Sequence, residues 1–554
     1  MKRTGKLTGI FLLLVIFITS VAFIRNGDLF FQIKKQITIF NDVFREVATQ
    51  YVDEVEPQEL VNKGINAMLE SLDPYTVFIN EGEQQQLEIL SSGSYGGIGL
   101  EAGYRGDEVV IIAPMDGYPA DRAGLRSGDV IVEINGLSVQ GMTPEEIQQL
   151  TIGDIGTEIT IVIKRRGIIE RISYTLIRER IEVKNINFSE IVGDRDQYAF
   201  IHLSRFGQQA SEEVRRALID LNDAHAHDLE GLILDLRNNP GGLLNEAVEL
   251  VDLFIEPGVT VVETRGRHDS HNSAMMTTEV ALFENLPIVL LINEGSASAS
   301  EVVAGAFQDL DRAVIVGENS FGKGLVQTIR PLSYNTSLKM TISRYYIPSG
   351  RSIQSVDYTL NDPENRQTIP DSLRRAFRTK NGRVVLDGRG IEPDIIHTGM
   401  ESTLIDLALQ RSNQYLFFVN DILLETDSDN RTVNHRMPDR LFQRFATYLI
   451  EQNFSFETPV DRHLNEIEMN IDNFSGENAA KENLDELKAL LRDYKISQIY
   501  ENQALIERNL QTEWITQTLD ESERNRALIA IDGLVIKAAE ILSDDYTYQS
   551  ILRP

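Results

Sequence analysis

The sequence has no cysteine. That absence removes disulfides, thiolate metal sites and cysteine nucleophiles together, and it suits a protein exported to an oxidising compartment. Positive charge is in deficit: 84 acidic against 53 basic residues leave −31 at pH 7. Such a field repels duplex nucleic acid and serves solubility. No period of the solenoid kind occurs, and no G-x-S-x-G string marks a hydrolase nucleophile elbow. The eight histidines offer little. His268 and His271 fall in the polar stretch RGRHDSHNS, which reads as a mobile loop; His202 falls on a strand, and His225 and His227 in a polar turn.

What is present is globular in balance, with 42% hydrophobic and 25% charged residues. At 554 residues the chain is expected to hold about three to five domains. Residues 1–24 read as a targeting segment. Lys2, Arg3 and Lys6 precede an uncharged run from Leu7 to Ile24, long enough to span a bilayer, while Ser20 and Ala22 suit a cleavage site. Both an uncleaved anchor and a cleaved signal fit. In either case the positive flank stays cytoplasmic and the remainder is exported to the periplasm or cell envelope.

Residues 25–92 read as helical. Phe30, Ile33, Ile37, Phe40, Phe44 and Val47 recur at helical spacing, and a second helix stops before Asp73, which precedes Pro74. So short a pair needs a neighbour or a second copy to cover it, so a homodimer through the helical terminal regions is expected. Residues 93–180 are rich in glycine and β-branched residues, with turn signals at Gly128-Asp129 and Asn135-Gly136 and a capping box from Thr143 to Glu146. Residues 181–400 alternate strands and helices, as in an α/β layer with a sheet buried on both faces. Residues 401–554 are an acidic, helical extension.

One string stands apart. NEGSASASE, from Asn293 to Glu301, puts three serines between the apolar run LPIVLLI and the helical pattern EVVAGAFQDL. Strand, sharp turn and helix expose a side chain above a sheet. The helix N-terminus adds free N–H groups and the positive end of its dipole, where a developing oxyanion is stabilised. Ser298 and Glu301 also fit an ordinary capping box. A nucleophilic serine needs a base. Histidine partners can be distant in sequence. The other general base available is a desolvated lysine, whose amine loses its proton more readily, and Lys323 sits between two glycines just after the strand RAVIVG.

The strings SLDPYTVFI, LDLRNNPGG, GSASASE, FQDLDRAVIVGENSFGKGLVQ, YYIPSGRSIQ and GRGIEPD occur in this order and together resemble the carboxy-terminal processing peptidases, or tail-specific proteases. The resemblance spans about Phe40 to Thr398. It implies a crotonase/Clp-protease-like β/α core in a multidomain α/β protein. It also implies a serine endopeptidase without metal or organic cofactor. Ser298 would be the nucleophile, Lys323 the general base and Gln327 the residue that orients the lysine. Ala299 would give one oxyanion N–H and Gly241 or Gly242 the other. Asp309, beside Asp311 and Arg312, reads as structural, and Ser296 and Ser300 as packing and hydrogen-bonding residues.

YGGIGLEA, followed by APMDGYPADRAGLRSGDVIVEINGLSV, resembles a PDZ domain inserted before the core. Gly97, Ile98, Gly99 and Leu100 would present N–H groups to the free C-terminus of a protein substrate. The added peptide would lie beside Ile98 to Glu101, with its last side chain in a pocket including Leu100 and Ile147. The sequence departs from the family pattern where over thirty residues separate SGRSIQ from GRGIEPD, an insertion at the edge of the core. A peptide-binding scaffold or chaperone with an inactive core is the alternative to a working protease.

Overall fold

The computed structural model describes residues 30–83, 93–105, 108–224, 228–358, 368–399, 402–425, 437–470 and 477–553. The apolar run 7–24, His225 and His227 lie outside them. Among the described residues no helix is long and apolar enough to cross a membrane. The described residues fall into two compact units. Residues 30–80 with 329–340 and 358 make the smaller one, and the rest make the larger.

In the smaller unit residues 30–50 form a helix, followed by a second at Pro57–Glu70 and a strand at Val77–Ile79 that pairs antiparallel with Ser337–Lys339. The predicted helical stripe is real. Asp73 turns the chain out of the second helix by accepting from the N–H groups of Tyr75 and Thr76 and from the Thr76 hydroxyl at 2.8–3.0 Å.

The larger unit begins with the PDZ-like sheet. Its strands are β1 (Leu100–Arg105), β2 (Glu108–Pro114), β3 (Val130–Ile134), β4 (Glu158–Lys164) and β5 (Ile172–Ile177), joined in that order by antiparallel pairs. Helix α1 (Pro144–Thr151) starts at the expected Thr143–Glu146 capping box. Ile147 of α1 is buried with Ile98, Val109, Ile111 and Ile161, and Leu100 packs against this cluster. Among the described residues β1 ends the strand order and pairs along one edge only, with β2.

The α/β core is built around a second sheet. Strand β6 (Ile186–Val192) runs antiparallel to β7 (Tyr198–Leu203). Helix α2 (Ala210–Ala224), strand β8 (Gly231–Asp235) and helix α3 (Leu244–Asp252) follow. Next come β9 (Thr260–Gly266) and β10 (Ser273–Met276), an antiparallel hairpin. RGRHDSHNS is therefore the tip of a hairpin and not a free loop. Its polar residues close the turn on themselves: the Gly266 N–H donates to Asn272 Oδ1 at 2.8 Å and the Thr264 hydroxyl to the His271 carbonyl at 2.9 Å. Strand β11 (Ile288–Ile292), helix α4 (Ala299–Asp309), β12 (Val314–Gly317) and β14 (Ile395–Ile396) follow, and β13 (Ser337–Tyr346), whose residues 341–346 belong to this unit, pairs through Ser343–Tyr346 with β9 outside the core sheet.

The core sheet runs β6-β7-β8-β11-β12-β14, parallel from β7 onward. β8 and β11 are fully buried, as their unbroken apolar runs require of a sheet covered on both faces. Helices α2, α3 and α4 cover one face, where Leu232, Leu234 and Leu290 meet Val214, Val251, Val303 and Phe307. The other face carries Phe200, Ile233, Val289, Leu291, Val314 and Val316. It is closed from far along the sequence by two further helices. In the C-terminal region, α5 (Gln414–Glu425) and α6 (Gln503–Thr518) share a core around Phe418, Phe445 and Trp514. Then α7 (Gly533–Ser543) and α8 (Asp545–Leu552) lay Leu534, Val535, Ala538, Ile541 and Tyr548 on the sheet. The C-terminal region also grips the PDZ-like sheet. Arg166, in the turn between β4 and β5, pairs with Asp421 at 2.6 Å and lies over the Phe417 ring. The insertion after β13 contains a small hairpin, Ala376–Arg378 with Val384–Leu386, tied back to the core by Arg383 through Asp311 and Asp394.

Candidate active site

β11 delivers the chain to the serine corner at the N-terminus of α4. Ser298 has φ 55° and ψ −112°, a backbone state that costs a non-glycine residue on the order of 1–3 kcal/mol. Such strain persists where the surroundings over-determine it, and here they do. Buried Ser296 donates to the Leu236 carbonyl at 2.8 Å, and buried Ser300 to the Asn239 carbonyl at 2.9 Å. The Ala297 N–H donates to the same Asn239 carbonyl at 3.0 Å. The flanking serines therefore staple this loop to the turn after β8, as expected of them. Ser298 is half-buried between them.

That turn is braced in return. Asn238, at φ 58°, exchanges bonds with the Asn293 side chain at 2.8 and 2.9 Å. Asn239, fully buried, donates to the Leu203 carbonyl and accepts the Gly241 N–H at 2.9 Å. Gly241 has φ 95°, and a Cβ there would lie 2.6 Å from the Ala297 carbonyl and 2.8 Å from Ser298 Cβ and the Ala299 nitrogen. At Gly242, φ 150°, a Cβ would lie 2.1 Å from the Phe206 carbonyl. Both glycines are required by close approach, and the turn lies directly against the Ser298 loop.

Glu301 joins this corner to the lysine loop. Its carboxylate is wholly buried and accepts four bonds: the Ser298 N–H (2.9 Å), the Lys323 N–H (2.9 Å), the Gly322 N–H (2.7 Å) and the Ser320 hydroxyl (2.5 Å). Burial pushes its pKa up, while these donors pull it down less strongly. Tyr345 of β13, also buried, bonds through its hydroxyl to the Ser298 carbonyl at 3.2 Å and to the Lys323 carbonyl. Ser298 and Lys323 are thus bridged twice through their backbones. Glu301 reads from sequence only as a cap, and Tyr345 only as part of YYIPSG; neither bridging role has a local signal. Gln327 donates to the Thr341 hydroxyl at 3.3 Å. Asp309 holds buried Arg351 at 2.9 Å and the Ser349 N–H at 2.9 Å, a structural role at the far end of α4.

Residues 197–361 match the family described as "Peptidase family S41", residues 110–165 a "PDZ domain", and residues 405–542 the "Probable PDZ-protease, C-terminal helical domain". A "Carboxy-terminal-processing protease" of Bartonella bacilliformis is 38% identical over 341 residues, 61% of this chain and 77% of that protein. The chain belongs to the carboxy-terminal processing peptidases, family S41. A "Probable CtpA-like serine protease" of Staphylococcus aureus is 32% identical over 420 residues, covering 73% of this chain and 81% of its own. Among solved structures, a photosystem II D1 C-terminal processing protease is 26% identical, with 64% of this chain and 85% of that chain covered and a TM-score of 0.37. The molecule is accordingly an S41 serine protease: a multidomain α/β fold with an inserted PDZ domain and a helical C-terminal region.

Proposed function

We propose that this protease cleaves peptide bonds near protein C-termini with Ser298 as nucleophile and Lys323 as general base. The observation that carries the reading is the strained Ser298 at the mouth of an eleven-residue helix, tied through one buried carboxylate to the lysine loop. Lys323 Nζ, as a neutral amine, takes the Ser298 Oγ proton while Oγ adds to the scissile carbonyl. Collapse of the tetrahedral intermediate expels the amine, which receives that proton, and leaves an acyl-enzyme for water to hydrolyse. Gln327 steadies the lysine side chain. The Ala299 N–H and a glycine N–H of the 241–242 turn stabilise the oxyanion. The Gly241 N–H is engaged by Asn239, which favours Gly242 as the second donor.

The PDZ domain selects substrates by their free C-terminus, with Gly97, Ile98, Gly99 and Leu100 taking the carboxylate and the peptide adding to the edge of β1 away from β2, against Ile147. The domain limits 25–92, 93–180, 181–400 and 401–554 follow from the sequence texture. Residues 1–24 export the chain as a signal or an inner-membrane anchor. The exposed apolar stripe of helix 30–50 pairs with a second copy of the chain.

The deciding experiment incubates wild type, Ser298→Ala and Lys323→Ala with a tail-bearing protein and maps new termini by mass spectrometry. Loss of cleavage in both variants is expected. Undiminished cleavage by Ser298→Ala overturns the mechanism, and a wild type that binds tails without cutting them identifies a scaffold. Amidating the tail tests the PDZ role: unchanged binding removes it.

A further inference from the structure

The S41 core ends its oxyanion strand on a charge that the C-terminal helical region answers. Arg237 follows β8 and immediately precedes the 238–242 turn. Its guanidinium meets both oxygens of buried Asp235 at 2.6–3.0 Å and also Asp532 Oδ2 at 2.8 Å. Asp532 lies 295 residues further along the chain, at the N-cap of α7. Its two oxygens divide the work. Oδ1 accepts the Leu534 and Val535 N–H groups at 2.8 and 3.3 Å, and Oδ2 holds Arg237.

We infer that Asp532 is a positioning residue for catalysis: by fixing Arg237 from outside the core, it holds the backbone of the 238–242 turn in register with the Ser298 loop. The inference rests on the Ser298 reading of the site. Geometry gives the reason. The Asp235–Arg237 pair is local, closing over two residues, and cannot by itself set where the turn lies relative to its surroundings. Asp532 supplies the outside anchor, because α7 is fixed to the sheet by Leu534, Val535 and Ala538. Beside Arg237 lies a cavity of about 160 Å³ that is also lined by Glu318, Asn293 and Arg508. Without Asp532 the guanidinium has space to swing and a second carboxylate, Glu318, to swing toward. Asn293, which braces Asn238, lines the same cavity, so the displacement would be felt directly by the turn.

Asp532→Asn in the full chain separates this role from capping. Asparagine caps as well as aspartate, so α7 keeps its N-terminus, but an amide cannot answer a guanidinium with charge. Relative to wild type, kcat on a tail-bearing peptide is expected to fall about 10–100-fold, below the ~10²–10³ of losing an oxyanion donor outright. KM should stay unchanged and far-UV circular dichroism should match wild type, while the thermal midpoint falls modestly with the lost charge pair and stays well above the assay temperature. Asp532→Glu should recover most of the rate, and adding Glu318→Gln to Asp532→Asn should recover part of it. A wild-type kcat per active site in Asp532→Asn, with sites counted by an activated phosphonate that phosphonylates the serine and releases its leaving group, overturns the inference. So does a loss of rate that only tracks the unfolded fraction, and if Asp532→Asn folds poorly, Asp532→Ser is read in the same way. A Ser298→Ala control that still cleaves would instead overturn the reading of the site.

Discussion

Replacing Glu301 by glutamine removes one oxygen from a buried carboxylate that satisfies four donors at 2.5–2.9 Å. The amide can be placed two ways. With its NH₂ toward Ser298 and Lys323, two backbone N–H groups lose their acceptor. With its NH₂ toward Ser320 and Gly322, the hydroxyl can turn to accept but the Gly322 N–H cannot, so one donor is orphaned. The second arrangement wins, and one buried unsatisfied donor costs about 1–3 kcal/mol. The variant no longer buries a charge, which offsets part of the loss. At about 1.36 kcal/mol per tenfold in rate, even half of the cost expressed in the geometry of the two loops lowers kcat several-fold. Glu301→Ala orphans all four donors, about 4–12 kcal/mol by the same measure, which is comparable to the whole stability of a domain. It is expected not to fold. The assay is kcat and KM on a tail-bearing peptide beside differential scanning calorimetry. Glu301→Gln should show a lower kcat, little change in KM and a midpoint reduced by about 2–4 °C per kcal/mol lost. A glutamine variant with wild-type kcat and midpoint would refute the idea that this carboxylate aligns the two loops.

Ser296→Ala and Ser300→Ala each remove one staple, and each should cost about 0.5–1.5 kcal/mol in denaturant unfolding while keeping far more activity than Ser298→Ala. Gly241→Ala drives a methyl to 2.6 Å of the Ala297 carbonyl at φ 95° and is expected to cost at least about 1–3 kcal/mol of overpacking, with activity lost more steeply than stability. Asp532 has a carboxyl pKa held below its ordinary 3.8: burial raises it, but Arg237 and the α7 N–H groups outweigh that. A depressed carboxylate stabilises the fold fully above that ordinary value and loses the contribution as pH falls through the lowered one. Acid unfolding followed by circular dichroism should therefore begin at higher pH in wild type than in a variant lacking the charge only if this assignment is wrong.

Much of the architecture was legible from local pattern. Alternating strands and helices over 181–400 exposed the core, Thr143 and Glu146 announced the start of α1, and the strand-serine-helix corner declared itself by composition. The rest was hidden for specific reasons. Glu301 has the letters of an ordinary cap, and nothing in them says that its carboxylate also collects N–H groups from residues 322 and 323. Tyr345 reaches Ser298 across 47 residues, a separation with no periodic trace. The RGRHDSHNS stretch looked mobile because its polarity is real, whereas the hairpin depends on side chains bonding to their own turn. The acidic extension 401–554 reads as helical, but helical spacing cannot say that its last helices cover the core sheet.

The closing of the sheet by α7 and α8 has a consequence for how the enzyme is made. Phe200, Ile233, Val289, Leu291, Val314 and Val316 have only partial cover, from residues such as Phe188, Val192 and Ile395, until residues 533–552 arrive, and each such side chain left in water forgoes about 1.5–3 kcal/mol. From Val316 to Gly533 is 533 − 316 = 217 residues, about 11–43 s of synthesis at roughly 5–20 residues per second. Throughout that interval the nascent chain carries its serine and lysine on an unfinished scaffold. The core of this S41 protease is therefore finished on that face only when the last two helices of the C-terminal region arrive.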